Sequence, residues 1–248
     1  MRGWLSRLVF PPHCSACRRL LPFDGAGGEV FICRNCRGTL EAEKLKTCRD
    51  CGASFVDCRC MPELLADAGC RGLVKLAAYD PGELRGMMNR LINNCKRYKS
   101  PELSAFLAGQ LCFGIENILR ELDVSRDSVV VTYCPRSRRR VREYGFDQAE
   151  LLAEAVAHIG GYEMATLLAR SKRHSAKSQK QLGFEARAIN ATHSFTLTGE
   201  RDLHGKTVVL VDDVVTSGAT MATCVSMLMG AEVEGVVCVA IAEAVRDK

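Results

Sequence analysis

The sequence predicts an α/β fold, a mostly parallel sheet with helices between its strands, preceded by a small cysteine-rich module. Three observations carry this. The runs Ser128 to Cys134, Val208 to Val211 and Val236 to Ile241 are short, unbroken and rich in β-branched residues, as strands covered on both faces are. Stretches with helical spacing of apolar residues lie between them, the alternation that gives parallel sheets. Eight of the fourteen cysteines fall before residue 61. A chain of 248 residues can hold one medium domain and a smaller one, and we expect residues 1–65 to form the cysteine-rich module and 66–248 the α/β domain.

The cysteines come in pairs. Cys14-x-x-Cys17 and Cys33-x-x-Cys36 are two knuckles about fifteen residues apart, each able to bring two sulfurs to one point, so that four thiolates meet tetrahedrally. This is zinc spacing, weighed against free or redox thiols. The loop between the knuckles, with Gly25, Gly27 and Gly28, has too few apolar residues to fold without a metal. Cys48-x-x-Cys51 and Cys58-x-Cys60 repeat the idea less cleanly, since a one-residue gap gives a different bite. The expectation is one zinc ion, with a second site open to a second. His13 reads as a solvent-facing neighbour of the first knuckle, and Met61-Pro62 as the linker out of the module.

Cys70 to Ala78 is the next expected strand, followed by a turn at Tyr79 to Gly82 and a helix over Glu83 to Asn93. Asn94 to Lys99 is a basic connection. A second helix runs from Pro101, with Ser100 as cap, to Leu122. After the strand Ser128 to Cys134 come Arg136, Arg138, Arg139, Arg140 and Arg142. Five guanidiniums in seven residues point to a polyanion contact, the alternative being a solvated charge run. Tyr144 to Gln148 leads into a helix closed by Gly160-Gly161, and Met164 to Ala169 reads as a short strand. Arg170 to Gly183 is long, basic and without apolar period, as a functional loop is. Phe184 to Asn190 resumes order, and Phe195 to Leu197 is a further short strand.

The net charge of +5 is too modest to mark a nucleic-acid binder by itself, so local clusters must carry that argument. The N-terminal apolar residues are interrupted by Arg7 and stopped by Pro11-Pro12, too soon for a secretory or membrane segment. No later stretch is apolar for long enough to span a bilayer. The expectation is a cytoplasmic protein that is not transmembrane.

The stretch Thr207 to Thr220, TVVLVDDVVTSGAT, is where the chemistry gathers. A buried strand delivers Asp212 and Asp213 to the sheet's carboxyl edge, where unpaired charges are costly unless they meet hydroxyls, a metal or a cleft. Thr216, Ser217, Gly218, Ala219 and Thr220 then offer amides and hydroxyls ahead of a helix, an anion site at a helix N-terminus. A P-loop reading fails. Gly199 to Thr207 has one residue too many between its glycines, and it precedes a strand where a phosphate loop follows one.

Strand, acid pair and T-[ST]-G-x-T loop resemble the phosphoribosyl-pyrophosphate (PRPP) signature of type I phosphoribosyltransferases. That resemblance implies a sheet of the type I phosphoribosyltransferase kind, with Asp212 and Asp213 as catalytic acids on the ribose hydroxyls. It implies that Val215 and the loop Thr216 to Thr220 wrap the 5′-phosphate. With the cysteine knuckles, the Pro-Arg segment and the basic loop in the same order, the chain resembles the ComF family over nearly its whole length. That family's Arg-Gly-Phe-Asn-Gln segment is matched by Tyr144, Gly145, Phe146, Asp147 and Gln148, with departures at the first and fourth positions. Gln179, Leu182, Arg187 and Asn190, followed by Phe195, match a second family pattern. The basic run Lys96 to Lys99 matches the family's Lys-Tyr segment only loosely and takes no role from it.

The resemblance implies binding of PRPP, with Mg²⁺, or of a ribose phosphate. Arg136, Arg138, Arg139 and Arg140 stand where pyrophosphate donors are expected. It also implies a role with incoming single-stranded DNA in transformation or with DNA as a nutrient, and DNA-uptake proteins as partners. Three function classes follow: a single-strand-binding protein with a sugar-phosphate site, a phosphoribosyltransferase acting on a small nucleobase-like acceptor, and a zinc-dependent adaptor.

Overall fold

The computed structural model describes residues 11–21, 31–80, 82, 86–171, 194–199 and 201–244. The expected strands pair as a parallel sheet. In chain order they are β1 (Cys70–Val74), β2 (Ala77–Tyr79), β3 (Val129–Tyr133), β4 (Glu163–Met164), β7 (Thr207–Val215) and β8 (Gly235–Ala244), while β5 (Leu168–Arg170) and β6 (Phe195–Leu197) form a separate antiparallel pair. The order is β1-β8-β7-β3-β4, with β2 continuing along β8 beyond β1. Central β7 and β8 are apolar on both sides, and nearly all of their residues are buried.

Seven α-helices lie among the described residues: α1 (Arg34–Lys44), α2 (Glu63–Asp67), α3 (Met87–Arg97), α4 (Pro101–Glu121), α5 (Arg138–Tyr144), α6 (Gln148–Gly160) and α7 (Ala219–Met229). One face of the sheet is covered by α3, α4 and α6, and Cys14, Leu21, Ile32, Cys36 and Leu40 join that core. The other face is covered by α2 and α7 with the β5–β6 pair. The local signals hold where they were strongest. Ser100 Oγ accepts from the Leu103 amide at 3.3 Å, and Gly161 closes α6 with φ +66°.

Three segments differ from their sequence reading. Cys70 to Ala78 is two strands broken at Lys75–Leu76, because Lys75 turns inward to an ion pair. Met164 to Ala169 is divided between β4 and β5, which belong to different sheets. The helix expected to stop at Asn93 runs on to Arg97, so the basic connection is largely helical. Residues 172–193, with Gln179, Leu182, Arg187 and Asn190, lie outside the described residues. No described helix is long and apolar enough to cross a membrane.

Close packing of α4 on β1 depends on Gly114, where a Cβ would come within 2.7 Å of Val74 Cγ1. Gly114→Ala gains about 1 kcal/mol of helix propensity but overpacks the contact by roughly 1–3 kcal/mol. The expected net result is a lower urea midpoint with an unchanged slope.

Candidate functional site

The acids sit where the sheet splits. β3 pairs with β7 only as far as Tyr133 opposite Val211, and after the Cys134 amide bonds Val211 O at 2.9 Å, Pro135 takes the chain away. β7 continues on β8 alone as far as Val215 opposite Glu243. Asp212 and Asp213 are thus inside the strand and not beyond it, at the crevice where an open parallel sheet binds ligands. The strand's period of two sends them to opposite faces.

Asp213 points to the α3/α6 side. Its Oδ2 receives Gln148 Nε2 at 2.9 Å and lies 3.2 Å from Lys96 Nζ. Asp212 faces the other side, towards the buried Cys134 and Cys238, whose thiols are raised chiefly by their contacts with Cys224 and Cys70 and by burial. Its Oδ1 accepts the Asp213 amide at 2.8 Å. Burial first, and then the neighbouring Asp213 charge, hold the Asp212 carboxyl well above the usual range. The pair is therefore asymmetric: one acid is partnered, and the other is ready to give up its proton to a ligand that brings donors or a cation.

The loop follows at once. Gly218 caps α7 in the left-handed region at φ +80° and has no side chain of its own to cap with, so the Ser217 hydroxyl accepts the helix's first amide, that of Ala219, at 3.4 Å. Thr216, Ser217, Ala219 and Thr220 are exposed while Val215 is buried, so the loop presents its amides and hydroxyls to solvent from a fixed base.

The arginine run is a short helix. Ser137 caps α5 and Gly145 closes it in the left-handed region, leaving Arg138, Arg139, Arg140 and Arg142 exposed. No ion pair involves any of the five arginines among the described residues. Tyr144, which fills the family's arginine position, lies under the Arg136 guanidinium at 4.7 Å and the Arg140 guanidinium at 6.0 Å. Asp147, at the family's asparagine position, caps α6: Oδ1 accepts the Ala149 amide at 3.0 Å and Oδ2 the Arg136 amide at 2.6 Å. An aspartate does what the asparagine oxygen would do there, although burial pushes its carboxyl up. Arg136 donates to Lys96 O at 3.2 Å, which joins the run to the acid site.

Both cysteine groups assemble. The four sulfurs of Cys14, Cys17, Cys33 and Cys36 lie within 4.8 Å of one another, as do those of Cys48, Cys51, Cys58 and Cys60. Four thiolates around zinc at ~2.3 Å stand about 3.8 Å apart. The Cys17–Cys33 separation is 3.8 Å and the Cys51–Cys58 separation is 3.6 Å. The Cys17 and Cys33 amides point at Cys14 Sγ and the Cys36 amide at Cys33 Sγ. For Cys14, burial works upward but these amides outweigh it and bring the thiol to about 7. Each group could hold a zinc ion. His13 is exposed and outside the group.

Sequence reasoning named the acids, the loop, the arginines and the cysteines. It missed Lys96 and Gln148 as the partners of Asp213, and the buried Lys75. A lysine inside the apolar run Leu73 to Ala78 was the available signal for the last.

Residues 147–248 match the family model of the phosphoribosyl transferase domain. Over 224 residues the chain is 28% identical to DNA utilization protein YhgH of Salmonella typhimurium, across 90% of this chain and 92% of that protein. The Escherichia coli K12 protein of the same name is 27% identical over 227 residues, with the same coverage of 90% and 92%. Solved structures similar to it include a purine phosphoribosyltransferase from Pyrococcus horikoshii Ot3, at 17% identity over 56% of this chain and 73% of that one, with a TM-score of 0.32. The AQ2163 protein from Aquifex aeolicus is 12% identical over 69% and 86%, with a TM-score of 0.38. A parallel sheet split at an acid pair, with a small-residue loop on the next helix, defines a phosphoribosyltransferase-type domain. With both cysteine groups and the homology to YhgH along most of its length, the chain resembles the ComF family well beyond that domain.

Two expectations follow. Protein purified without chelator should carry two zinc ions per chain by elemental analysis, with Cys17→Ser and Cys51→Ser each removing one. For Asp212, an acid whose folded pKa stands above its unfolded value of about 4 binds its proton more tightly when folded, so stability falls as pH rises between the two. Asp212→Asn removes that loss. It should melt several degrees higher than wild type at pH 8, with the gap closing towards pH 4, where ~1 kcal/mol corresponds to about 2–4 °C for a chain of this size.

Proposed function

We propose that this protein handles DNA, in DNA utilisation or in uptake during natural transformation, by holding a ribose phosphate or PRPP beside a single strand. In this reading Asp212 and Asp213 take the ribose hydroxyls, directly or through the Mg²⁺ that accompanies PRPP. Thr216 to Thr220 take the 5′-phosphate, and the arginines of α5 take the strand's phosphates. The cysteine groups hold zinc, residues 1–65 acting as a module beside the phosphoribosyltransferase-type part, 66–248. The module's outer surface is also where DNA-uptake proteins would dock.

One observation carries the reading. Four exposed arginines with no carboxylate partner among the described residues stand on the segment that Arg136 and Lys96 tie to Asp213. Guanidiniums without a carboxylate partner, on a segment tied to the acid site, suit a polyanion whose sugar or phosphate enters that site. A second reading, transfer of phosphoribose to a small nucleobase-like acceptor, draws support from the cleft beside Asp213. Leu103, Leu107, Leu151 and Leu152 line it, and Gln148 Oε1 is buried there with no partner.

Calorimetric titration with PRPP and Mg²⁺, with and without a short oligodeoxynucleotide, tests both. Positive coupling without pyrophosphate release supports the first reading, and pyrophosphate release with a base supports the second. Single-strand affinity should fall steeply with salt. Changing Arg138, Arg139 and Arg140 to alanine should weaken binding on the order of a hundredfold at low salt and flatten the salt slope by about 0.7 for each phosphate no longer neutralised. Binding insensitive to salt and to these changes removes the strand from the proposal.

A further inference from the structure

Lys75 is the one buried lysine among the described residues, 1% exposed, and neither the sugar-phosphate site nor the arginine helix uses it. Its ammonium lies 2.5 Å from Glu243 Oε2 and donates to Cys60 O, also at 2.5 Å. Both partners are informative. Cys60 belongs to the second cysteine group, and Glu243 pairs on the sheet with Val215, the residue before the loop Thr216 to Thr220.

A second contact reaches the loop from the same group. Two residues after Cys60, Pro62 caps α2, and a Cβ on Gly218 would meet Pro62 Cβ at 2.9 Å and Leu65 Cγ at 3.2 Å. Leu65 is fully buried. The start of the loop is thus tied to the group through Glu243 and Lys75, and its middle, at Gly218, is pressed against α2.

We infer that the second cysteine group is a brace for the phosphate loop: metal held by Cys48, Cys51, Cys58 and Cys60 fixes Cys60 to Leu65, and Lys75 and α2 pass that rigidity to the start and the middle of Thr216 to Thr220. Lys75 is a positioning residue, acting on the loop through Glu243. An anion in the loop and a metal in the group then strengthen one another reciprocally, since a loop ordered by one ligand costs less to order for the other. Only the ligand arm of the test below rests on the sugar-phosphate reading of the loop.

The experiment is amide hydrogen exchange on the zinc-loaded full chain, comparing wild type with Cys51→Ser and with the double change Lys75→Met, Glu243→Leu. The double change removes the buried pair together, so that neither charge is left alone. Amides of Thr216 to Thr220 should exchange at least tenfold faster in both variants, while those of β3 keep their wild-type rate and so report an intact sheet. Should the double variant lose β3 protection, Cys51→Ser decides. Wild-type exchange in the loop of folded variants overturns the brace, and so does a wild-type chain that retains only one zinc. Titration with ribose 5-phosphate separates this from the functional reading. A loosened loop in variants of a protein that never binds ribose 5-phosphate keeps the brace and sinks the sugar-phosphate site.

Discussion

Two carboxylates at the end of a buried strand are the constraint on which the rest of this structure depends. An unpartnered charge there costs several kcal/mol, and two neighbouring ones repel. The strand's alternation removes part of the problem by facing Asp212 and Asp213 to opposite sides. Lys96 and Gln148 then meet Asp213, and Asp212 is left to burial, with the Asp213 amide donating to it. One acid is stabilised as a charge and its neighbour is not. In the proposed function that imbalance has a use, because a ligand that supplies hydroxyls or a cation would stabilise the carboxyl that lacks a partner.

Satisfying Asp213 dictates much of what surrounds it. Lys96 reaches the carboxylate only because α3 continues a turn beyond its apolar residues, and that turn is anchored from the other side. Asn94 Nδ2 donates to Ser15 O at 2.6 Å and Ala16 O at 3.2 Å, inside the first cysteine group's chain, while Arg18 lies over Tyr98 at 4.6 Å. The first cysteine group therefore supports the acid side of the site as the second supports the loop side. Arg136 joins the same turn through Lys96 O, so the arginine helix is held in register with the acids by a backbone carbonyl.

How much of this was legible follows from the range of each signal. Cysteine pairs, β-branched runs, the Ser100 cap and the Gly161 stop act over a few residues, and all of them hold. Whether Cys48, Cys51, Cys58 and Cys60 could meet depended on turns that spacing does not report. Gly52 at φ +73°, with the Cys48 amide bonded to Ala53 O and the Cys58 amide to Ser54 O, closes them. The last turn of α3 was invisible because Asn94, Lys96 and Arg97 have no apolar period, and its helical state comes from partners far away in sequence. The break at Lys75 has the same origin, since a partner 168 residues on decides its direction. Asp147 in place of asparagine looked like a departure, yet its side-chain oxygen still caps α6.

The cysteine groups are also more than an appendage. Cys14, Cys36, Ile32 and Leu40 share one continuous core with α3, α4 and the sheet, and Phe31 stacks edge-on to Phe106 of α4 at 5.4 Å. A metal that folds such a segment supplies more than local order, because its binding energy is folding energy for whatever packs against it. The parallel sheet brings its own stability, with β7 and β8 buried on both faces. What it lacks is support at its carboxyl edge, where β3 departs and two acids and a loop must stay fixed without strand neighbours. Metal-knuckle turns are small, rigid and independent of a large core, and here they meet that edge from both faces of the sheet. This gives a physical reason for the cysteine groups and the acid-and-loop edge to share one chain: the ends of the strands that carry the candidate site are the part of the fold that the sheet alone cannot hold.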